Sequence, residues 1–106
     1  MLKENDLVNV DDLTSWAKKH DCKVMENNGD TYIGNPPTAT KYPHFHIFSN
    51  GKTNLSVGSS KNETVGTNQT IAPEKLRQAC ERFSQWPIVA PLKLAIEWVL
   101  NPERNN

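Results

Sequence analysis

Chemistry built on sulfur has little to work with in this chain. Its two cysteines, Cys22 and Cys80, stand far apart, and neither belongs to a CxxC pair. Both sit in apolar-patterned segments and read as small buried hydrophobes, with a single disulfide between them as the open alternative. No HExxH, GxGxxG or Walker-type loop occurs, and no Ser/His/Asp pattern can be placed, so those chemistries have no footing in the sequence. No stretch approaches the roughly 18 apolar residues of a spanning helix, so no membrane partner is expected. The start, Met1-Leu2-Lys3-Glu4-Asn5-Asp6, lacks the apolar segment of a secretory leader. The expected setting is the cytoplasm, either of the producing cell or of a target cell into which a toxin is delivered.

Charge of one sign is also missing. Twelve Lys and Arg balance twelve Asp and Glu, which removes any global argument for nucleic acid or membrane. The distribution is less even: residues 1–35 carry seven acids and four bases, and residues 36–106 carry five acids and eight bases. Lys41, Lys52 and Lys61 fall in a segment with no acid between them, a local bias toward an anionic ligand that ordinary solubility also accounts for.

What is present is enough for one domain. A chain of 106 residues can bury a core without metal or disulfide support, and residues 1–106 read as a single α+β unit with frayed tails at 1–9 and 101–106. Asp11 and Asp12 open a helix where its dipole favours acids, with Leu13, Trp16, Ala17 and His20 following at helical spacing. Cys22 to Glu26 is a short strand, Asn27-Asn28-Gly29-Asp30 is a hairpin turn, and Thr31-Tyr32-Ile33 returns. Asn35 to Thr40, with two prolines, is a loop.

The second hairpin, Pro43 to Val57, is the most informative stretch. A two-residue turn at Asn50-Gly51 would mix polar and apolar residues on both faces. A three-residue Ser49-Asn50-Gly51 turn with Gly51 left-handed sorts them. Phe45 then faces Leu55 and Ile47 faces Thr53 on one side, while His46 faces Asn54 and His44 faces Ser56 on the other.

Gly58 to Gln69 is polar and reads as a long loop, mobile or functional. Pro73 begins an amphipathic helix through Leu76, Ala79, Cys80 and Phe83, broken at Trp86-Pro87. Ala90 to Leu100 is a second helix with Leu92, Ala95, Ile96 and Val99 as its buried stripe. Leu94, Trp98 and Leu100 widen that stripe, either for burial on two sides or for a partner. The fold class is α+β: a small antiparallel sheet of two β-hairpins packed against one N-terminal and two C-terminal helices, the other face at least partly wet.

His44 and His46, two residues apart on one strand, point the same way about 7 Å apart. With Lys52, Asn54 and Ser56 across the ladder they bring acid/base groups, amide and hydroxyl groups and a cation to one face. Cleavage of RNA without a metal needs a base for the 2′-hydroxyl, an acid for the leaving oxygen and a donor for the phosphate, and histidine suits both proton transfers. Lys61 and its loop, with Ser59, Ser60 and Asn62, can add phosphate contacts, and Tyr42 and Phe48 can stack bases. The competing readings are two exposed, idle histidines, or a metal site. The metal site lacks a third ligand, the nearest acids, Asp30 and Glu63, lying on other segments. No cofactor is expected. A non-enzymatic interaction module of immunity, antitoxin or adaptor type, binding a cognate protein through Trp98 and Leu100, is the rival to an RNA-acting domain.

The run His44-Phe45-His46-Ile47-Phe48, the turn with Gly51, Lys52 to Val57 and the helix from Pro73 to Phe83 together resemble small bacterial ribonuclease toxins, the HicA-type mRNA interferases. The resemblance covers about 40 residues by the helix–sheet–helix pattern. It implies a helix, a three-stranded sheet and a helix as in double-stranded-RNA-binding domains, with a histidine at the start of the strand carrying the chemistry. That family has Gly-Ser before the histidine; this chain has Tyr42-Pro43. The loop at 34–42 and the second C-terminal helix also exceed the pattern.

Overall fold

The computed structural model describes residues 6–35, 41–101 and 103. Most of the proline-containing loop Asn35 to Thr40 and the greater part of the two expected tails lie outside the described residues. The first element is a two-residue strand, β1 (Val8–Asn9), followed directly by α1 (Val10–Lys19). Asn9 rather than either aspartate caps the helix: its Oδ1 accepts from the backbone N–H of Asp11 at 2.8 Å and Asp12 at 3.2 Å, and the two acids occupy the first turn. Val10, Leu13 and Ala17 are buried, while Trp16 packs at the core's margin.

The first hairpin forms as its turn dictates. β2 (Val24–Asn27) and β3 (Asp30–Gly34) pair Asn27 with Asp30, leaving Asn28 at φ 53° and Gly29 at φ 85°, both left-handed as a two-residue turn requires. β4 (Pro43–Ile47) and β5 (Thr53–Val57) pair in the bulged register. Phe45 faces Leu55, Ile47 faces Thr53, His46 faces Asn54 and His44 faces Ser56, with Gly51 at φ 94°. The turn is closed by the Phe48 N–H donating to the Lys52 carbonyl at 2.8 Å.

Two expectations need correction. The polar segment after Gly58 is not a long loop: β6 (Lys61–Gly66) pairs with β5, joined by the short turn Gly58-Ser59-Ser60. A bulge between Thr53 and Asn54 matches Thr53 to Gly66 and Asn54 to Thr64, and Val65 between them enters the core. The five-stranded sheet therefore runs β2-β3-β4-β5-β6, not four strands in two hairpins. The second correction concerns the N-terminal lead-in, whose end is anchored. β1 pairs with β7 (Thr70–Ile71), Val8 opposite Ile71, and Val8 is buried. Hydrogen bonds from the Gln69 N–H to the Gly51 carbonyl and from the Val10 N–H to the Gln69 carbonyl, each 2.9 Å, tie this small sheet to the second hairpin.

α2 (Pro73–Arg82) and α3 (Leu92–Leu100) follow, Pro73 at the first helical turn and Phe83 as the C-cap. α3 starts at Leu92, after a cis Ala90-Pro91 bond, and buries Leu92, Ala95, Ile96 and Val99. The three helices cover one face of the large sheet, where Ile33, Phe45, Leu55, Val57 and Val65 meet Leu13, Leu76, Leu92 and Val99. Both cysteines are free thiols. Cys22 donates to the Pro91 carbonyl at 3.3 Å, and burial pushes both thiols up from their ordinary pKa. No helix among the described residues is long and apolar enough to cross a membrane.

Candidate functional site

The face away from the helices carries three cross-strand rows. Strand register puts Met25, Tyr32, His46, Asn54 and Thr64 in one row; Gly34, His44, Ser56 and Asn62 fall in the next. Asp30 and Phe48 come together at the third, beside the turn. This face is less wet than alternation suggests. His44 is 1 % exposed, Ser56 1 % and Asn54 5 %, because aromatic rings on one side and the Gly58–Asn62 turn on the other close over them. What remains open is a cleft of about 410 Å³ lined by Tyr32, His46, Phe48, Lys52, Asn62 and Ser59, with His44 and Asn54 deep in it. Its volume is that of a small-ligand pocket.

One wall is a run of rings. His46 stacks on Phe48 with centroids 3.8 Å apart and planes 16° off parallel, and leans on Tyr32 at 4.4 Å and 34°. Tyr32 in turn meets His44 at 5.9 Å. The Lys52 ammonium lies 5.3 Å from the centre of the Phe48 ring, a cation–π distance.

His46 is held at its edge as well as its faces. Its Nε2 is 2.9 Å from Asp30 Oδ2, and Asp30 Oδ1 accepts the Ser49 N–H at 2.9 Å. These two hydrogen bonds hold the Asp30 carboxyl below its ordinary pKa, so at neutral pH it is an acceptor only. Against that acceptor the Nε2 of His46 is the donor, and Nδ1 is the ring nitrogen that Asp30 does not engage.

His44 is different in kind. Burial, with the neighbouring His46 second, pulls its pKa down to about 4, so at pH 7 it is neutral. Its Nδ1 is buried with no hydrogen-bond partner among the described residues. Further across, Thr64 Oγ1 donates to Asn54 Oδ1 at 3.1 Å, and Ser56 Oγ donates to Asn62 Oδ1 at 2.6 Å. Asn62 Nδ2 reaches the Ser59 carbonyl at 3.3 Å and braces the turn.

The structure thus brings together His44, His46, Lys52 and Asn54 of the expected site, with Ser56 beneath Asn62. Tyr42 and Lys61 are both exposed and do not line the cleft. Asp30, Tyr32 and Asn62 complete it. Asp30 was visible in the sequence only as a nearby acid; the β3–β4 register, which joins the two hairpins, is needed to set it against His46. Among the described residues no group of three or more His, Cys, Asp and Glu side chains converges. The rival surface is mixed: Trp98 is half-buried, stacked on Trp16 at 5.4 Å, and Leu100 is half-buried too, whereas Leu94 is 44 % exposed. Set against family models, curated proteins and solved structures, the chain matches none of them.

Proposed function

We propose that this is a small RNA-acting domain whose cleft binds a single-stranded segment and cleaves it by proton transfer through His46. The observation that carries the reading is the fixation of one imidazole on three sides, by Phe48, Tyr32 and Asp30, in a cleft that Lys52 also lines. A ring held this way loses little orientational freedom on binding and presents one defined nitrogen. Aromatic walls accept any base face, and Lys52 at the rim supplies the cation for a phosphate.

In this reading Nδ1 of His46 takes the ribose 2′-hydroxyl proton as that oxygen attacks phosphorus. The bond to the 5′-oxygen breaks, that oxygen takes a proton from water, and a 2′,3′-cyclic phosphate and a 5′-hydroxyl result. Asp30 stabilises the imidazolium formed, as a carboxylate partner does for a catalytic base. His44, neutral at pH 7, serves as a hydrogen-bonding group in the floor rather than as an imidazolium acid. The test is RNA degradation by wild type, His46→Ala and the His44→Ala/His46→Ala double variant, with chelator present. Cleavage by wild type alone supports the reading; wild type that neither binds nor cleaves RNA overturns it.

A second reading, an interaction module of the immunity, antitoxin or adaptor type, draws on the exposure of Val89 just before α3 and of Leu94 on it. Trp98 and Leu100 would form the edge of that surface, and inert RNA in the assay above would favour it.

A further inference from the structure

The floor of the cleft is one-sided in its hydrogen bonding. Asn54 turns its oxygen to the Thr64 hydroxyl, which fixes the amide's orientation and leaves its N–H groups without a partner among the described residues. His44 has Nδ1 buried and unpartnered, and a buried orphan acceptor is more readily tolerated than a buried orphan N–H. That places the proton on Nε2, the nitrogen His44 has left for the cleft it lines. Two side chains from adjacent strands, diagonal to each other in the ladder, therefore offer donors at the bottom. Asn62 is spent on Ser56 and Ser59.

A floor that turns donors toward the cleft, between an aromatic wall and a polar turn, favours a flat ligand entering edge-first with an acceptor leading. The acceptor is a neutral carbonyl rather than a phosphate, because desolvating an anion beside Tyr32 and Phe48 is costly while Lys52 stands at the wetter rim. Among bases, uracil and guanine lead with an exocyclic carbonyl, and cytosine and adenine put an amino donor in its place. Resting on the RNA-binding reading above, we propose that the cleft selects keto bases over their amino counterparts, with Asn54 as the specificity-determining residue and His44 as the second donor.

A donor facing a donor deep in the site leaves both unsatisfied, which sets the discrimination at roughly tenfold or more. The experiment is equilibrium binding of the full chain to short oligouridylate against oligocytidylate, and to oligoinosinate against oligoadenylate, each pair exchanging a keto for an amino group. Wild type is expected to hold the keto member about tenfold tighter in both pairs. Asn54→Asp replaces the amide donors with an acceptor of the same shape and is expected to abolish or invert the preference. Thr64→Val, at an exposed edge position, frees the amide to turn and is expected to narrow it. Equal affinity of wild type within both pairs overturns base selection while leaving RNA binding standing. Wild type that binds none of the four overturns both.

Discussion

Asp30 reaches across from β3 to put Oδ2 2.9 Å from His46 Nε2 on β4, and its other oxygen takes the Ser49 N–H at the same distance. One carboxylate thus fixes both the ring of the proposed site and the turn that bounds it. Asp30→Ala removes both acceptors and is expected to cost about 1 kcal/mol, since a partly buried imidazole and an exposed turn N–H lose their partner. Asp30→Asn keeps an oxygen for Ser49 and is expected to cost less. Both variants lose RNA cleavage in the proposed mechanism, Asp30→Asn without loss of fold. Denaturant midpoints and the cleavage assay separate the effects; full activity in Asp30→Asn would remove the carboxylate from the mechanism.

Acid sensitivity follows from His44. Its pKa of about 4 in the folded chain lies below the ordinary 6.5, so the unfolded chain binds more protons between those values. Stability is full above pH 6.5 and falls as pH drops toward 4, by on the order of 3 kcal/mol for the whole window. Asp30, lowered from 3.8, adds a further loss of the same sign at still lower pH. Urea midpoints at pH 7, 5.5 and 4.5 are expected to decline, and His44→Leu is expected to flatten the decline. Midpoints that do not move with pH would place His44 in contact with bulk water in solution.

The parts of the fold legible in the sequence are those where a local rule has one solution. Gly51 and the sorting of Phe45, Ile47, His44 and His46 onto opposite faces leave a single workable register, and the 3.6 period of Leu92, Ala95, Ile96 and Val99 marks the buried stripe of α3. β6 was illegible for a physical reason. It is an edge strand whose Lys61, Asn62 and Thr64 are exposed, and polar composition protects such edges while concealing them. Without β6 the Asn62 and Thr64 partners of the site cannot be placed, and the face looks wetter than it is. The Asp30–His46 contact was hidden for another reason, since it depends on the register between β3 and β4, which belong to different hairpins and are joined by no tight turn.

Trp98 and Leu94 divide the two uses of an apolar helix. Trp98 lies on Trp16 with planes 19° apart, and Trp16 on His20 at 4.4 Å, so Trp98 closes the margin of the core. Trp98→Ala is expected to cost about 2–3 kcal/mol, below the full-core value because the ring is half-buried. Leu94→Ser, at an exposed position, is expected to change stability by under about 0.5 kcal/mol. Chemical denaturation measures both. A large loss from Leu94→Ser would mean that the residue is covered in solution, and concentration-dependent stability would identify a second copy as the cover.

Two glycines test the packing of the sheet against its surroundings, and they differ in what blocks a side chain. At Gly66 a Cβ would sit 1.8 Å from the Thr70 carbonyl oxygen and 2.8 Å from the Ile71 Cα, both backbone atoms of the chain turning back into β7. Nothing there can rotate away, so Gly66→Ala must open the bulge or displace β7, and with β7 the pairing that anchors Val8. At Gly34 the obstacle is the Leu92 side chain, with Cβ at 2.9 Å and Cδ1 at 3.2 Å, and the backbone is left-handed at φ 106°. Leu92 can shift in part, but strain at positive φ and overpacking add, for about 3 kcal/mol from Gly34→Ala. Gly66→Ala is expected to cost more than Gly34→Ala and to loosen the N-terminal strand selectively, seen as lost amide protection at Val8 and Val10 by hydrogen exchange. Retained protection there would show that β7 and β1 hold together independently of the close approach at Gly66.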